Sequence, residues 1–440
     1  MAIATPVSRV THRTVLAIAA PIVLSNISTP LLGVADTAVM GRLGDPKYIG
    51  AVAIGALIFT MVFWTFGFLR MGTTGLTAQA LGAEDGEEIR AALGRAMLIA
   101  GGVGLALILV QWPVREIAFF LLDGGPEVEP LARSYFDIRI WSAPAALANY
   151  ALVGWFIGLG RASVALALQV FLNLVNIIFN ILLALGLGWG VTGIAAGTLI
   201  AEVSAALLGL AVAARYLRFY PGTWTRARLL DAARLARTIA VNRDIMVRTI
   251  VLMLSFAWFT ARSAEAGPVT LAVNSILLQF VTVSAFFLDG FALAAEALVG
   301  KAVGARNRQD FDLSTRLSTL WAAGVALVLS LGIFAAGGPI IDFLSIDVEV
   351  RAVARVYLFW AAALPILSVW CYQLDGIFIG ATRGPEMRNA ALASSLIFLV
   401  LWWLFLPYGN HGLWAALAGF NIMRAATLGF YYPRLRRGLV

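Results

Sequence analysis

The residues with chemistry to offer are few, and they sit where charge is costly. From Thr14 to Ala35 the chain carries no ionisable side chain; the first is Asp36, inside STPLLGVADTAVMGRLG (28–44). A carboxylate in an apolar span is expensive and usually faces the interior of a bundle or a wet cavity. Arg42 lies six residues on, beyond the three- or four-residue reach along a helix. No local partner explains Asp36, so a functional use is favoured over pairing with an arginine at a helix end. Asn173, Asn176 and Asn180 follow in NLVNIIFN, the last two on one helix face, and Thr198 falls at a similar depth counted from the turn signal at 186–193. Such amides and hydroxyls can solvate a small ion or bond a carboxyl group; they are also common helix-to-helix glue in membranes.

The other ionisable groups assigned to spans are Arg70, Glu202, Asp289, Glu296 and Asp375. With Asp36, acids outnumber bases five to one, a bias that attracts cations. Glu296 is expected to pair with nearby Lys301. A single cysteine, Cys371, excludes an internal disulfide, and His12 and His411 give no metal-ligand or triad pattern. Neither H-E-x-x-H nor G-x-S-x-G occurs. The expectation is no enzyme, no catalytic residue, no metal, and no cofactor other than a proton or sodium gradient.

These residues need elements that hold them in hydrocarbon. The chain is 61% hydrophobic and 13% charged, against about 45–50% and about 25% in soluble proteins. Uncharged runs long enough to span recur, and a span takes about 20 helical residues. Twelve helices are expected, near 14–41, 49–81, 92–113, 133–159, 163–186, 191–214, 245–264, 269–300, 315–337, 353–380, 388–407 and 412–433. Alternating ten-residue segments are absent, which argues against a β-barrel. The start has no small-residue cleavage site, so the first helix is read as retained.

Arginines gather in alternate loops, most densely at 215–248, and the opposite loops hold Asp123, Glu127, Glu129, Asp342, Asp347 and Glu349. The positive-inside rule then puts both termini in the cytoplasm. The net charge of +8 is thereby a matter of topology, with no role for nucleic acid. The chain also repeats itself. GWFIGLGR (154–161) matches GIFIGATR (376–383) in five of eight positions, and LTAQALGAED (76–85) matches LVGKAVGARN (298–307) in four of ten, both at an offset of 222. This divides the chain into a six-helix lobe (1–214), a basic cytoplasmic linker (215–243) and a second six-helix lobe (244–440). Lobes repeated in parallel are related by an axis along the membrane normal, an architecture of carriers that alternate access to a central site. By the same offset Arg70 corresponds to Ala292, three residues from Asp289. Arg70 and Asp289 are therefore a candidate gate pair near the cytoplasmic side; the plainer alternative is that each bonds within its own lobe.

PLLGVADTAVMGRLG, FLRMGTTGLTAQALGAEDG, SAPAALANYALVGWFIGLGR, AVNRDIMVR, FLDGFALAAEA and VWCYQLDGIFIGATRGPEMRN resemble, in order and over nearly the whole chain, the multidrug and toxic compound extrusion (MATE) family, most of all its DinF branch. The resemblance implies twelve helices in two lobes around a V-shaped cavity. It also implies export of organic, often cationic, compounds in exchange for a proton or sodium ion. It implies a bacterial inner-membrane location, with small organic substrates and the bilayer as partners of a functional monomer. Asp36 matches the family's coupling acid, with Asn176 and Thr198 as polar neighbours. Asn180 stands where many relatives carry a second acid. Asp375 matches an acid that helps hold sodium in another branch, but the seventh span, 245–264, lacks the partner acid. A lone carboxyl beside amides favours a proton, since burial penalises its charged form; sodium coupling is the alternative. A lipid-linked oligosaccharide flippase would need several bases for its pyrophosphate, and only Arg70 is counted inside. An intramembrane enzyme or a channel finds little support.

Overall fold

The computed structural model describes residues 10–438 except 43, 44 and 123, with backbone alone at 29–32, 34 and 35. Asp123 thus lies outside the described residues. The described chain is helical, without a strand. Its helices are α1 (His12–Gly41), α2 (Pro46–Thr65), α3 (Phe68–Gly82), α4 (Gly86–Leu109), α5 (Gln111–Leu121), α6 (Gly125–Arg139), α7 (Ala143–Gly158), α8 (Ala162–Asn180), α9 (Gly190–Leu217), α10 (Arg226–Leu229), α11 (Ala232–Glu265), α12 (Pro268–Gly304), α13 (Arg308–Leu344), α14 (Val348–Gly380), α15 (Gly384–Leu404) and α16 (Gly409–Arg437). Eleven spans among the described residues are long and apolar enough to cross a membrane, and the thirty-residue α1 makes the twelfth. The protein is an all-α, twelve-span membrane protein.

Helix starts follow local chemistry. Asp45, Asp85, Asn307 and Asp347 each accept a backbone N–H in the first turn that follows, and Pro46 and Pro268 occupy first-turn positions where no N–H is required. Several helices run past their expected limits: α11 begins at 232 instead of 245, and α13 covers 308–344 instead of 315–337. Charged side chains at these ends reach water while their backbones stay helical. Two expected spans are interrupted. The second breaks at Phe66–Gly67 between α2 and α3, and the fourth tightens into a 3-10 turn at Ile140–Ser142. Pro144 accounts for that tightening, because its ring excludes a regular bond to the carbonyl of Ile140. The short α5 was absent from the expected set. It exposes Trp112, Ile117, Phe120 and Leu121, while Arg115 and Glu116 bond to Asp137 and Arg133 of α6. An amphipathic helix of that kind suits the plane of the interface.

The chain forms two compact units. One contains Leu24–Ala80 and Asp85–Thr238; the other contains Met1–Val23, Leu81–Glu84 and Ile239–Val440. The helix α1 therefore contributes to both. In the first unit, the arginine-rich chain after α9 is pinned to the start of α4. Arg228 pairs with Asp85 and Glu87, Arg234 and Arg95 both pair with Glu88, and Arg90 donates to the carbonyls of Leu217 and Tyr220 at the end of α9. Partial burial works against the Asp85 carboxylate, but Arg228 and the N–H of Glu88 outweigh it and hold its pKa below the ordinary range, so Asp85 stays charged at neutral pH.

The sequence repeat is a repeat of geometry. In the first unit a Cβ on Gly154 would lie 2.3 Å from the Arg70 carbonyl oxygen, and one on Gly158 2.6 Å from that of Thr74. In the second, a Cβ on Gly376 would lie 2.1 Å from the carbonyl oxygen of Ala292, and one on Gly380 2.4 Å from that of Glu296. All four pairs correspond at the 222-residue offset. Each half thus packs a G-x-x-x-G face directly on a neighbouring backbone. The helix ends that follow match too: Arg161 N–H bonds Phe156 O and Arg383 N–H bonds Phe378 O, at 2.8 and 2.9 Å.

Gly376→Ala should push α14 off α12 and cost about 1–3 kcal/mol, the usual range for overpacking. Gly101→Ala, in α4 with nothing within 4 Å of its added Cβ, should be neutral or stabilise by up to about 1 kcal/mol. Thermal unfolding of the purified variants measures both; equal midpoints would remove the argument from close backbone approach.

Candidate functional site

The structure joins four of the candidate residues into one hydrogen-bonded chain within the first unit. The Thr198 hydroxyl donates to the carbonyl of Ile194, 3.0 Å away on its own helix. Its oxygen is then free to accept, and it does so from Asn176 Nδ2 at 3.0 Å. That turns Asn176 Oδ1 toward Asn180, whose Nδ2 donates to it at 2.8 Å. The same Nδ2 donates to Asp36 Oδ1 at 2.7 Å. The direction of every bond follows from the first, so both Asn180 protons point at acceptors. Asn180 Oδ1 faces Gly197 instead, where a Cβ would lie 2.1 Å from it, and it accepts from no described residue. Asn176, Asn180 and Thr198 are buried, whereas Asp36 is half-buried. Its Oδ2 bonds to no described residue and stays available to a proton.

Elements position this chain by their irregularities as well as their lengths. Asn180 is the last regular residue of α8, and a widened π turn runs from Ile181 to Gly186 directly after it. Gly193 and Gly197 let α9 approach: a Cβ on Gly193 would lie 2.7 Å from the backbone of Ala184. Asn173 belongs to a neighbouring polar branch, accepting from Gln169 and donating to Ser28 at 3.0 and 3.1 Å.

Glu202 lies one turn beyond Thr198 and meets a residue absent from the sequence-derived set, Arg139, at 3.7 Å. Arg139 also donates to the Tyr135 hydroxyl at 2.7 Å, and it acts electrostatically on Asp36. It occupies the end of α6, at the tightened turn before α7. Its position inside an expected span, 133–159, was the signal available for it.

The acid excess expected of the embedded charges is corrected by the structure. Asp375 in α14 is held by two guanidinium groups, Arg248 of α11 and Arg424 of α16, all three nearly buried. Arg139, Arg248 and Arg424 are among the arginines inside expected spans that had gone uncounted, because runs were marked by the absence of charge and helix-embedded arginines were assigned to their flanks. The correction bears on the other candidates. A carboxylate bracketed by two cations is not a place for sodium. Nor are these arginines free to hold a pyrophosphate, since each is engaged by an acid. Arg70 is half-buried in α3 and Asp289 half-buried in α12; they belong to different units. Glu296 is buried in α12, where its backbone abuts Gly380.

The second half lacks the hydrogen-bonded chain. At the 222-residue offset, Asp36, Asn180, Asn176 and Thr198 correspond to Trp258, Trp402, Phe398 and Phe420. These form aromatic pairs, with Trp258–Trp402 ring centres 5.3 Å apart and Phe398–Phe420 5.8 Å apart. A polar relay in one half is thus a packed aromatic core in the other.

With this geometry in hand, comparison with known proteins is informative. The MatE family model matches residues 21–182 and 245–404, one stretch in each half. The DNA damage-inducible protein F of Escherichia coli (strain K12) is 39% identical over 421 residues, covering 95% of this chain and 91% of that one. A probable multidrug resistance protein NorM of Deinococcus radiodurans is 28% identical, covering 97% and 96%. Among solved structures, a MOP superfamily transporter from Pyrococcus furiosus superposes with a TM-score of 0.87 at 18% identity, over 97% of this chain and 96% of that one. An outward-facing multidrug resistance MATE family transporter superposes with a TM-score of 0.85, also at 18% identity and over the same shares.

Asp375 is the one acid that Arg248 and Arg424 pair with among the described residues. Asp375→Asn should therefore cost about 3–5 kcal/mol, the range for stranding a buried charge. Adding Arg424→Met should recover part of the loss. Denaturation midpoints test this, and a double variant no more stable than the single would refute the charge-balance account.

Proposed function

This chain belongs to the MatE family, and on that premise we propose that it is an antiporter that exports organic, chiefly cationic or amphipathic, compounds in exchange for protons, with Asp36 as the switch. The supporting observation is the direction of the hydrogen-bonded chain. Asn180 presents N–H to Asp36, and its oxygen is turned away to Gly197. Around Asp36 the neighbouring amide is therefore a donor to a carboxylate and not a ligand to a metal cation, which would ask for several oxygens. A proton can add at Oδ2 while Oδ1 keeps its bond to Asn180, so uptake needs no rearrangement of the relay. Neutralising Asp36 removes the cost of charge in a low-dielectric span and changes the attraction of the site for a cationic compound. Alternation between the two states couples proton entry to substrate exit. The arginine-rich ends place both termini on the cytoplasmic side of a bacterial inner membrane in this reading.

Asp36→Asn should fold, bind a fluorescent organic cation and fail to export it. In proteoliposomes with an imposed proton gradient, dye efflux by this variant should fall to the level of protein-free vesicles; wild-type rates would falsify the assignment. A sodium gradient alone should drive little efflux by the natural protein. Asn180→Asp puts oxygen where N–H now stands, facing the oxygens of Asp36 and Asn176. Like charges at that distance repel, and a cation relieves the repulsion. Efflux by Asn180→Asp should accordingly rise with sodium concentration. A flat response in both proteins would sink the explanation from relay direction.

A further inference from the structure

We propose that the groove between α4 and α9, at the arginine-rich end of the first unit, is a binding site for one anionic phospholipid. Both helices pack on α7, and a cavity of about 370 Å³ opens beside them. Its walls are two helical stripes: Arg90, Leu93, Gly94 and Met97 of α4, and Leu210, Ala213, Ala214 and Leu217 of α9. Each follows the spacing that lines up side chains on one face. The stripes are apolar over their length and end in cations at one rim, the order of parts in a phospholipid, with acyl chain first and phosphate last.

The rim carries the headgroup chemistry. Arg218, the residue after α9, caps that helix through its backbone N–H, but it is exposed and its guanidinium makes no hydrogen bond or ion pair to any described residue. Every other arginine of the clamp (Arg90, Arg95, Arg228 and Arg234) is already engaged. Arg90 spends Nη2 on the end of α9, but its buried Nε has no partner. Trp224 closes the groove from the chain beyond α9. Its ring rests on Gly94, where a Cβ would lie 3.0 Å from it, yet the residue remains exposed on its other side. An indole at the boundary between apolar wall and water is typical of headgroup depth. Two guanidinium groups, one free and one with an unmatched donor, complement a phosphodiester; an acyl chain fills the stripes below. A basic pocket between helices on the side where arginines gather is the expected setting for an anionic lipid. The site would tie the clamp of Asp85, Glu88 and Arg228 to the composition of the leaflet.

The test uses the purified full-length protein in detergent, delipidated and then titrated with dioleoylphosphatidylglycerol, dioleoylphosphatidylcholine or inorganic phosphate, with bound lipid read by native mass spectrometry. Wild type should retain phosphatidylglycerol in preference to phosphatidylcholine, and inorganic phosphate should not displace it. Arg218→Gln should lower the preference about fivefold, the worth of one arginine near an anionic headgroup, while Arg218→Lys restores most of it. The Arg218 side chain has no partner among the described residues, so neither variant should disturb folding, and their thermal midpoints without lipid serve as the control. Equal retention of the two lipids by wild type, an unchanged preference in Arg218→Gln, or displacement by phosphate alone would each overturn the proposal.

Discussion

Inside a bilayer no water is at hand to answer a polar group, so every donor, acceptor and charge must be met by the protein itself. That constraint explains most of what is unusual in this chain. It requires continuous helices, whose backbones satisfy themselves. It makes each embedded charge an investment with a partner, as for Asp375 between Arg248 and Arg424 and Glu202 against Arg139. Asp36 differs from these acids. Its hydrogen-bond partner is the neutral Asn180, and Arg139 acts on it only at longer range. Asp375 is met by two guanidinium groups and Glu202 by one, whereas the hydrogen bond to Asp36 comes from an amide. The contrast between Asp375 and Asp36 is one of charge balance: the first is neutralised by its neighbours in the fold, and the second is bonded to an uncharged amide.

The internal repeat sharpens that contrast. Both halves use the same glycine contacts and the same helix ends, although α12, α13 and α14 run unbroken where the first half divides the corresponding stretches into α2 and α3, α4 and α5, and α6 and α7. The side chains at the corresponding depth do not match. Where the first half has Asp36, Asn180, Asn176 and Thr198, the second has two tryptophans and two phenylalanines in contact. Aromatic packing buries mostly apolar surface, with the indole N–H of Trp258 unpaired among the described residues, whereas the relay buries amides and a hydroxyl that bond to one another. The two halves thus share a backbone plan and differ in the chemistry placed at this depth.

Much of the architecture was legible in the sequence because its causes are local or periodic. Hydrophobic runs of sufficient length specify spans wherever they fall, proline and Asp or Asn mark helix starts, and a fixed 222-residue offset exposes the repeat without any contact being known. The isolation of Asp36 was visible for the same reason: it is a property of its neighbours along the chain. What tertiary structure alone decided was pairing and direction. Arg139, Arg248 and Arg424 look like ordinary basic residues until packing sets them against Glu202 and Asp375, so a count of embedded charge taken along the sequence came out too acidic. Asn180 could have offered Asp36 either end of its amide. The choice depends on a bond between Thr198 and Ile194 on another helix, passed through Asn176. Hydrogen bonds have a sense as well as a length, and that sense is set by the whole network, which no spacing in the sequence encodes.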